Sequence, residues 1–243
     1  MDSWMKLYWD LVFERQSNAQ ILRQLNNPVR QYEQEMIEGA IVDVGCGQSP
    51  FLLDFLSTDR ELIAIDNNQS QLDFLKKRVE KEPASLDNWK FLNQNFPQDG
   101  LPDRKYSLMI FSDLLHFFPI AECIAIGKVI SKAATEGCLV YVKVHSAKYY
   151  ANNPKDPNNH EYFKHYFVKY DLERIFPASE FDQIYFAEIN HVASKLENDL
   201  IEEWLDRVLK ADGITDQKFI KSSKEDYLKN NKEAYLMAIF RKR

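Results

Sequence analysis

Residues 40–66 read AIVDVGCGQSPFLLDFLSTDRELIAID, and the reading of this stretch decides the fold. A short apolar run, Ala40 to Val44, is broken only by Asp43 and leads into Gly45-Cys46-Gly47. Ser49 and Pro50 follow, then a segment with apolar Phe51, Leu52, Phe55 and Leu56, then a second apolar run, Leu62 to Ile65, that ends in Asp66. The pattern predicts strand, tight turn, helix, strand, with an acid closing the second strand. Glycines at 45 and 47 let the backbone turn sharply and come close to a ligand. Ser49 suits a helix N-cap and Pro50 the first helical position, where no N–H is needed. The N-terminus of that helix is then expected to turn its free N–H groups to the ligand. Asp66 stands 19 residues beyond Gly47, the distance of a ribose-binding acid in a βαβ nucleotide site.

A dinucleotide fingerprint would place a third glycine three residues after the second, and Pro50 stands there instead. Asp43 followed by Gly45-Cys46-Gly47 resembles the first motif of the class I S-adenosylmethionine-dependent methyltransferases, D/E-x-G-x-G-x-G, with Ser49 at the third glycine. The resemblance implies S-adenosylmethionine as cofactor. It implies that Asp43, Gly45, Cys46, Gly47 and Ser49 line its methionine end, and that Asp66, with Asn67 beside it, holds the ribose. Further along, Asn95 stands where the family has an acid that meets the adenine, and an amide oxygen can accept from the same exocyclic amine. Ser112 and Asp113 stand where the fourth strand ends beneath the methyl group. Leu114-Leu115-His116-Phe117-Phe118-Pro119 is similar to the family's L-h-H segment, in which the histidine starts a helix or packs behind the site. The matches run from about Ala40 to His145.

Working outward, Gln69 to Glu82 reads as a helix with Leu72, Leu75 and Val79 facing inward. Trp89 to Leu92 reads as a third strand. Tyr106 to Phe111 is a continuous apolar run, the mark of a strand buried on both faces of a parallel sheet. Ile120 to Ala134 is helical, and Cys138 to Val144 is a fifth strand. Val168 to Phe176 reads as a short helix, Phe181 to Ile189 as strand six, and Ala234 to Phe240 as the closing strand. Strands alternating with helices predict an α/β fold: a doubly wound, seven-stranded, mostly parallel sheet with an antiparallel last strand. The whole chain is expected to form a single domain. Residues 1–39 form its N-terminal helical cap, 146–166 a lid and 194–230 a helical insertion. In the cap, Trp4, Leu7, Tyr8, Leu11 and Val12 recur at helical spacing. Trp9 and Phe13 are expected to pack on a neighbouring helix. Arg15 has two readings, a solvated face or a contact with the cofactor's carboxylate. Asn27-Pro28 reads as an N-cap and first turn of a further helix, with Gly39 at its end.

Composition narrows the partners. The 243 residues suffice for one well-buried α/β domain. A net charge of −6 disfavours nonspecific attraction to nucleic acid or anionic membrane. Cys46, Cys123 and Cys138 show neither disulfide nor zinc spacing, which fits a reducing, cytoplasmic setting. No apolar run approaches a membrane span, and Asp2, Lys6 and Asp10 argue against a signal peptide.

The acceptor is expected to be a small molecule. After the fourth strand the chain lacks the Asn/Asp-Pro-Pro-aromatic tetrad of enzymes that methylate nucleobase amines. After the fifth it reads Lys143-Val144-His145-Ser146, without the acid and amide ligands of the metal-dependent catechol-type enzymes, so no metal is expected. Candidates for a general base are Asp113, His145 and His165, with His160 behind them. The N-terminal WDLVFERQSN is similar to the tellurite-resistance and thiopurine methyltransferase group, whose soft acceptors need little base. Residues 146–166 (SAKYYANNPKDPNNHEYFKHY) follow strand five at the ligand-binding edge and carry Tyr149, Tyr150, Tyr162, Phe163 and Tyr166. They read either as an acceptor lid or as a surface excursion with an aromatic underside. A regulator that binds the cofactor without transfer is the alternative function; aminopropyl transfer would need more acids after strand four than Asp113 alone.

Overall fold

The computed structural model describes residues 3–17, 27–48, 51–80, 86–230 and 232–243. The chain divides into two compact units, one of residues 27–189 and 234–243, the other of residues 1–26 and 190–233. Residues 27–39 of the expected cap therefore belong to the larger unit, and the residues before them to the smaller.

The larger unit is built on a seven-stranded sheet. Its strands are β1 (Ala40–Val44), β2 (Leu62–Asp66), β3 (Trp89–Asn93), β4 (Tyr106–Ser112), β5 (Leu139–His145), β6 (Phe181–His191) and β7 (Glu233–Lys242), in the order β3-β2-β1-β4-β5-β7-β6. β1 to β5 pair in parallel and β7 lies antiparallel to β5. β1, β5 and most of β4 are buried along their length, as apolar strands covered on both faces must be. Alternation divides their side chains between two cores. Val42, Val44, Met109, Phe111, Val140 and Val142 meet Cys123, Ile126 and Ile130 of α3 (Ile120–Ala133) and Leu172 and Ile175 of α4 (Lys169–Ile175). Ile41, Leu108, Ile110, Leu139 and Tyr141 meet Leu72, Leu75 and Val79 of a further helix, Gln69–Val79, numbered α2 in chain order. A β-carbon on Gly127 would lie 2.3 Å from the Ile175 carbonyl oxygen, so glycine sets how closely α3 and α4 pack. The order reverses between β1 and β4, and the crevice beyond their carboxyl ends is where such sheets bind ligands.

Two expected helices differ. The segment after β1 is a five-residue 3-10 turn, Phe51–Phe55, too short for an α-helix, because the chain must return to Leu62 to begin β2. Ser49 and Pro50, expected as its cap and first residue, lie outside the described residues. Asn27 does cap a helix, its Oδ1 accepting from Val29 N at 3.0 Å, but this is a 3-10 helix, Pro28–Glu35, that ends at Met36 rather than at Gly39. Gly39 is needed for proximity: a β-carbon there would lie 2.6 Å from the Lys105 carbonyl oxygen.

The smaller unit joins helix α1 (Ser3–Ser17) to α5 (Lys195–Ala211) and α6 (Gln217–Asn230). Leu11 and Val12 pack on Leu200 and Ile201, ringed by Tyr8, Trp204, Leu205, Tyr227 and Leu228. Ser194 and Glu197 cap α5 reciprocally. Arg15 is engaged within this unit: its guanidinium pairs with Glu203 at 2.7 Å, and Arg207 bridges Glu203 and Glu14. The side chains of Trp9 and Phe13 lie outside the described residues. Among the described residues no helix is long and apolar enough to cross a membrane.

Candidate active site

The turn after β1 is fastened to the end of β2. Gly45 and Gly47 take positive φ values of 68° and 52°, a region that favours glycine. Gly45 N and Cys46 N donate to the Ile65 carbonyl at 2.8 and 3.0 Å. Gly47 N donates to Asp66 Oδ2 at 2.8 Å, and Asp66 Oδ1 accepts from Asn68 N at 2.8 Å. Asp66 thus holds the glycine turn against the start of α2. The amides of residues 45–47 are engaged within the protein. The turn offers space instead, since a β-carbon on Gly47 would meet nothing within 4 Å. Gly45 permits contact with the β4 turn, because its β-carbon would lie 2.8 Å from Leu114 Cδ1.

Asp43 lies beneath this turn with 1% exposure, and neither carboxyl oxygen has a hydrogen-bond partner among the described residues. Burial, and then the charges of Asp66 and Asp113, push its carboxyl well above the usual range. Burial also raises Asp66, against the lowering effect of its bonds to Asn68, Gly47 and Asn67. Asn95, in the loop beyond β3, is exposed; its main chain donates to Asp99 Oδ2 at 2.8 Å, and Gln94 N donates to the Asp66 carbonyl at 3.1 Å.

A second constellation closes the ends of β4 and β5. Asp113, a non-glycine residue at φ 58°, accepts at Oδ2 from Lys143 Nζ at 2.6 Å and from Ser112 Oγ at 3.2 Å. Lys143 is 2% exposed and its Nζ lies 4.2 Å from the ring centroid of Tyr235. Burial works against the Asp113 charge, but the Lys143 ammonium, with His116 and His145, holds the carboxyl below its usual range. His116 is buried, and burial together with Lys143 outweighs Asp113 to bring its pKa down to about 4. Its ring stacks on His145 at 3.9 Å, and His145 stacks on Tyr149 at 4.1 Å. The edge of Phe163 closes the stack.

Sequence reasoning passed over Lys143 and Tyr235. The signal for the first was a lysine inside LVYVKVH, a strand otherwise apolar up to its last residue; a charge there must have a partner. Of the candidate bases, the structure brings Asp113 and His145 together and takes His165 elsewhere. Its Nε2 lies 3.0 Å from Asp171 Oδ2 in the first turn of α4. His160 is exposed beside Asn159.

One ligand atom each of Asp113, His116 and His145 lie within 4.8 Å of one another, the spacing of a metal triad. The donors do not suit an ion. Ring nitrogens donate in the ring plane, and two rings only 10° from parallel, one above the other, cannot both aim at a common point. The carboxylate is already held by an ammonium.

Segment 146–166 packs its aromatics onto this constellation. Tyr149, Tyr166 and Tyr235 form one cluster with Tyr150 and Phe163. Lys164 N donates to the His116 carbonyl at 2.8 Å, and Ala147 N to that of Phe167 at 2.8 Å.

With this fold and site in view, comparison with known proteins shows what the chain resembles. Residues 41–138 match the family model described as a methyltransferase domain. The matched segment, residues 41–138, is similar to a methyltransferase domain and runs from β1 through β4. No curated protein matches it in sequence. Among solved structures it is similar to TehB from Haemophilus influenzae, with a TM-score of 0.60 and 13% identity over 90% of this chain and 63% of that one. It is similar to a SAM-dependent methyltransferase from Methanosarcina mazei, with a TM-score of 0.60 and 16% identity over 90% and 99%. It is also similar to the [4+2]-cyclase SpnF, with a TM-score of 0.65 and 14% identity over 97% and 92%. The chain thus spans less than two thirds of TehB, and identities this low carry the fold alone.

Proposed function

We propose that the chain transfers the methyl group of S-adenosylmethionine to a small-molecule acceptor in the cytoplasm, without a metal ion. Asp43 carries this reading. A carboxyl buried beneath a glycine turn, without a partner and beside two further carboxylates, is costly unless a ligand cation completes it. A cofactor bearing both an ammonium and a sulfonium fits that need. The residues that would hold it are Asp43, Gly45, Cys46, Gly47 and Ser49 at the methionine end and Asp66 with Asn67 at the ribose. Asn95 would serve at the adenine, and Ser112 and Asp113 beneath the methyl group. With backbone bonds from Asn68, Gly47 and Asn67, the Asp66 carboxylate keeps a lone pair on one oxygen and can still accept from a ribose hydroxyl.

The bound cofactor supplies an activated methyl group with its own leaving group. The protein then has to align an acceptor and exclude water. Asp66→Ala tests the reading. One charge-assisted bond removed should cost about 1.5–3 kcal/mol of binding, or about ten- to a hundred-fold in affinity. Calorimetry with S-adenosylmethionine and S-adenosylhomocysteine reads this out beside a thermal melt, which should fall by a few degrees as the turn loosens. Wild-type affinity in the variant overturns the assignment.

A further inference from the structure

The Asp113–Lys143 pair has two unlike ends. Oδ2 is held from within by Lys143 Nζ and Ser112 Oγ, and Lys143 itself is 2% exposed. Oδ1 has no hydrogen-bond partner among the described residues, and 42% of the Asp113 side chain stays accessible. The pair is therefore a buried dipole with its negative end turned outward, at the carboxyl end of β4 and against the glycine turn that Leu114 touches.

We propose that Asp113 binds the nitrogen of an amine acceptor and stabilises the positive charge that nitrogen gains on taking the methyl group. This rests on the methyl-transfer reading and names its acceptor class. The groups facing Asp113 are Ser112 from its own strand, Lys143 and His145 from β5, His116 from the turn after β4, and Asp43 from β1. At neutral pH none of those with a resolved charge state is poised to take a proton. Asp113 stays ionised, His116 stays neutral far above its pKa of about 4, and Lys143 is paired. His145 is 6% exposed within the stack of His116 and Tyr149.

An alcohol must shed its proton as it attacks, and a base for that step works best with a pKa near the operating pH. A neutral amine needs no base. Its lone pair forms the N–C bond while the C–S bond breaks with its electron pair going to sulfur, leaving a thioether. The positive charge passes from sulfur to nitrogen, and the ammonium product later releases its proton to water. A carboxylate fixed beside that nitrogen stabilises the transition state without reorganising. The same charge repels a thiolate.

The test uses the full chain with benzylamine, benzyl alcohol and phenylmethanethiol as matched probes. Binding of benzylamine, protonated at neutral pH, to the S-adenosylhomocysteine complex is followed by NMR, and turnover by S-adenosylhomocysteine release. We expect benzylamine to bind and to be the probe turned over. Its kcat/KM should rise with pH through the amine's own pKa. Asp113→Asn should lower benzylamine binding and kcat/KM at least ten-fold, a larger loss than any it causes in S-adenosylhomocysteine affinity. Should the orphaned Lys143 unfold that variant, the neutral pair Asp113→Asn with Lys143→Met replaces it. The proposal is overturned if benzylamine does not bind the complex, if the alcohol or thiol reacts and the amine does not, or if Asp113→Asn leaves amine binding unchanged. Failure of the wild type to bind S-adenosylhomocysteine at all would instead overturn the methyl-transfer reading.

Discussion

At the scale of single residues, the carboxyl groups of Asp43, Asp66 and Asp113 have environments that differ more than their spacing suggests. Asp43 and Asp66 were legible because a known motif marks them. The sequence could not tell that Asp66 would be half-engaged by the glycine turn or that Asp43 would be left without a partner, since both depend on how β1 and β2 meet. Asp113 was legible by position, but its Lys143 partner comes from 30 residues on. Asp43 should show itself in stability. Its folded pKa is raised, chiefly by burial, above an unfolded value of about 3.9. Its contribution to stability is full below the unfolded value and declines as pH rises toward the folded one. Asp43→Asn removes the charge and hence that decline. Melts between roughly pH 5 and pH 9 should show the variant gaining on the wild type as pH rises. It should lose at least ten-fold in S-adenosylmethionine affinity. A difference in Tm that does not change with pH, or a variant that falls behind on the alkaline side, would mean that Asp43 is ionised and paired in the free protein.

At the scale of elements, the strands and long helices announced themselves through periodicity, and the failures fell on short pieces. The Phe51–Phe55 turn and Pro28–Glu35 carry helical spacing, but neither has the length to settle an α-helix. Residues 146–166 were legible as a long aromatic loop at the right edge; their partners were not, because the rings they cover come from the turn after β4, from β5 and from β7. Within the segment, Asn152 to Asn159 make an exposed turn closed on itself. Asn159 Nδ2 donates to Asn152 Oδ1 at 3.0 Å, Asn153 N donates to Asn159 Oδ1 at 2.7 Å, and Asn152 Nδ2 ties the turn to the Ala147 carbonyl at 2.8 Å. Deleting Asn152 to Asn159 removes that tie but keeps Tyr149, Phe163 and Tyr166. If the segment is a lid, KM for benzylamine should rise several-fold while S-adenosylhomocysteine affinity stays within a few-fold. Unchanged kinetics would reduce the segment to a surface excursion; an equal loss of cofactor affinity would make it part of the cofactor site.

At the scale of the whole molecule, alternating strands and helices fixed the sheet's class in advance, and short right-handed crossovers leave few other strand orders. The pairing of α1 with α5 and α6 was not readable, because amphipathic stripes some 190 residues apart carry no mark of which stripe they will meet. Charge, by contrast, can be read from sequence and structure alike, and the two agree in sign. The net charge is −6, and Asp66 and Asp113 gather at the carboxyl edge, with Lys143 taken up by Asp113 and Asp43 adding charge only as pH rises toward its raised pKa. S-adenosylmethionine, with sulfonium, ammonium and carboxylate, is a net cation; S-adenosylhomocysteine, lacking the sulfonium, is neutral overall. A cleft of one sign draws the opposite charge and speeds its arrival, and the effect fades as salt shortens the Debye length from about 30 Å at 0.01 M to about 3 Å at 1 M. Stopped-flow association measured across that range should therefore slow by about ten-fold for S-adenosylmethionine and change little for S-adenosylhomocysteine. Dissociation should respond less, since contacts made inside the crevice are poorly screened. Equal salt dependence for both cofactors would show that Lys143 and the surrounding surface cancel the field of these carboxylates before a ligand feels it. Charge at this edge would then act only on contact.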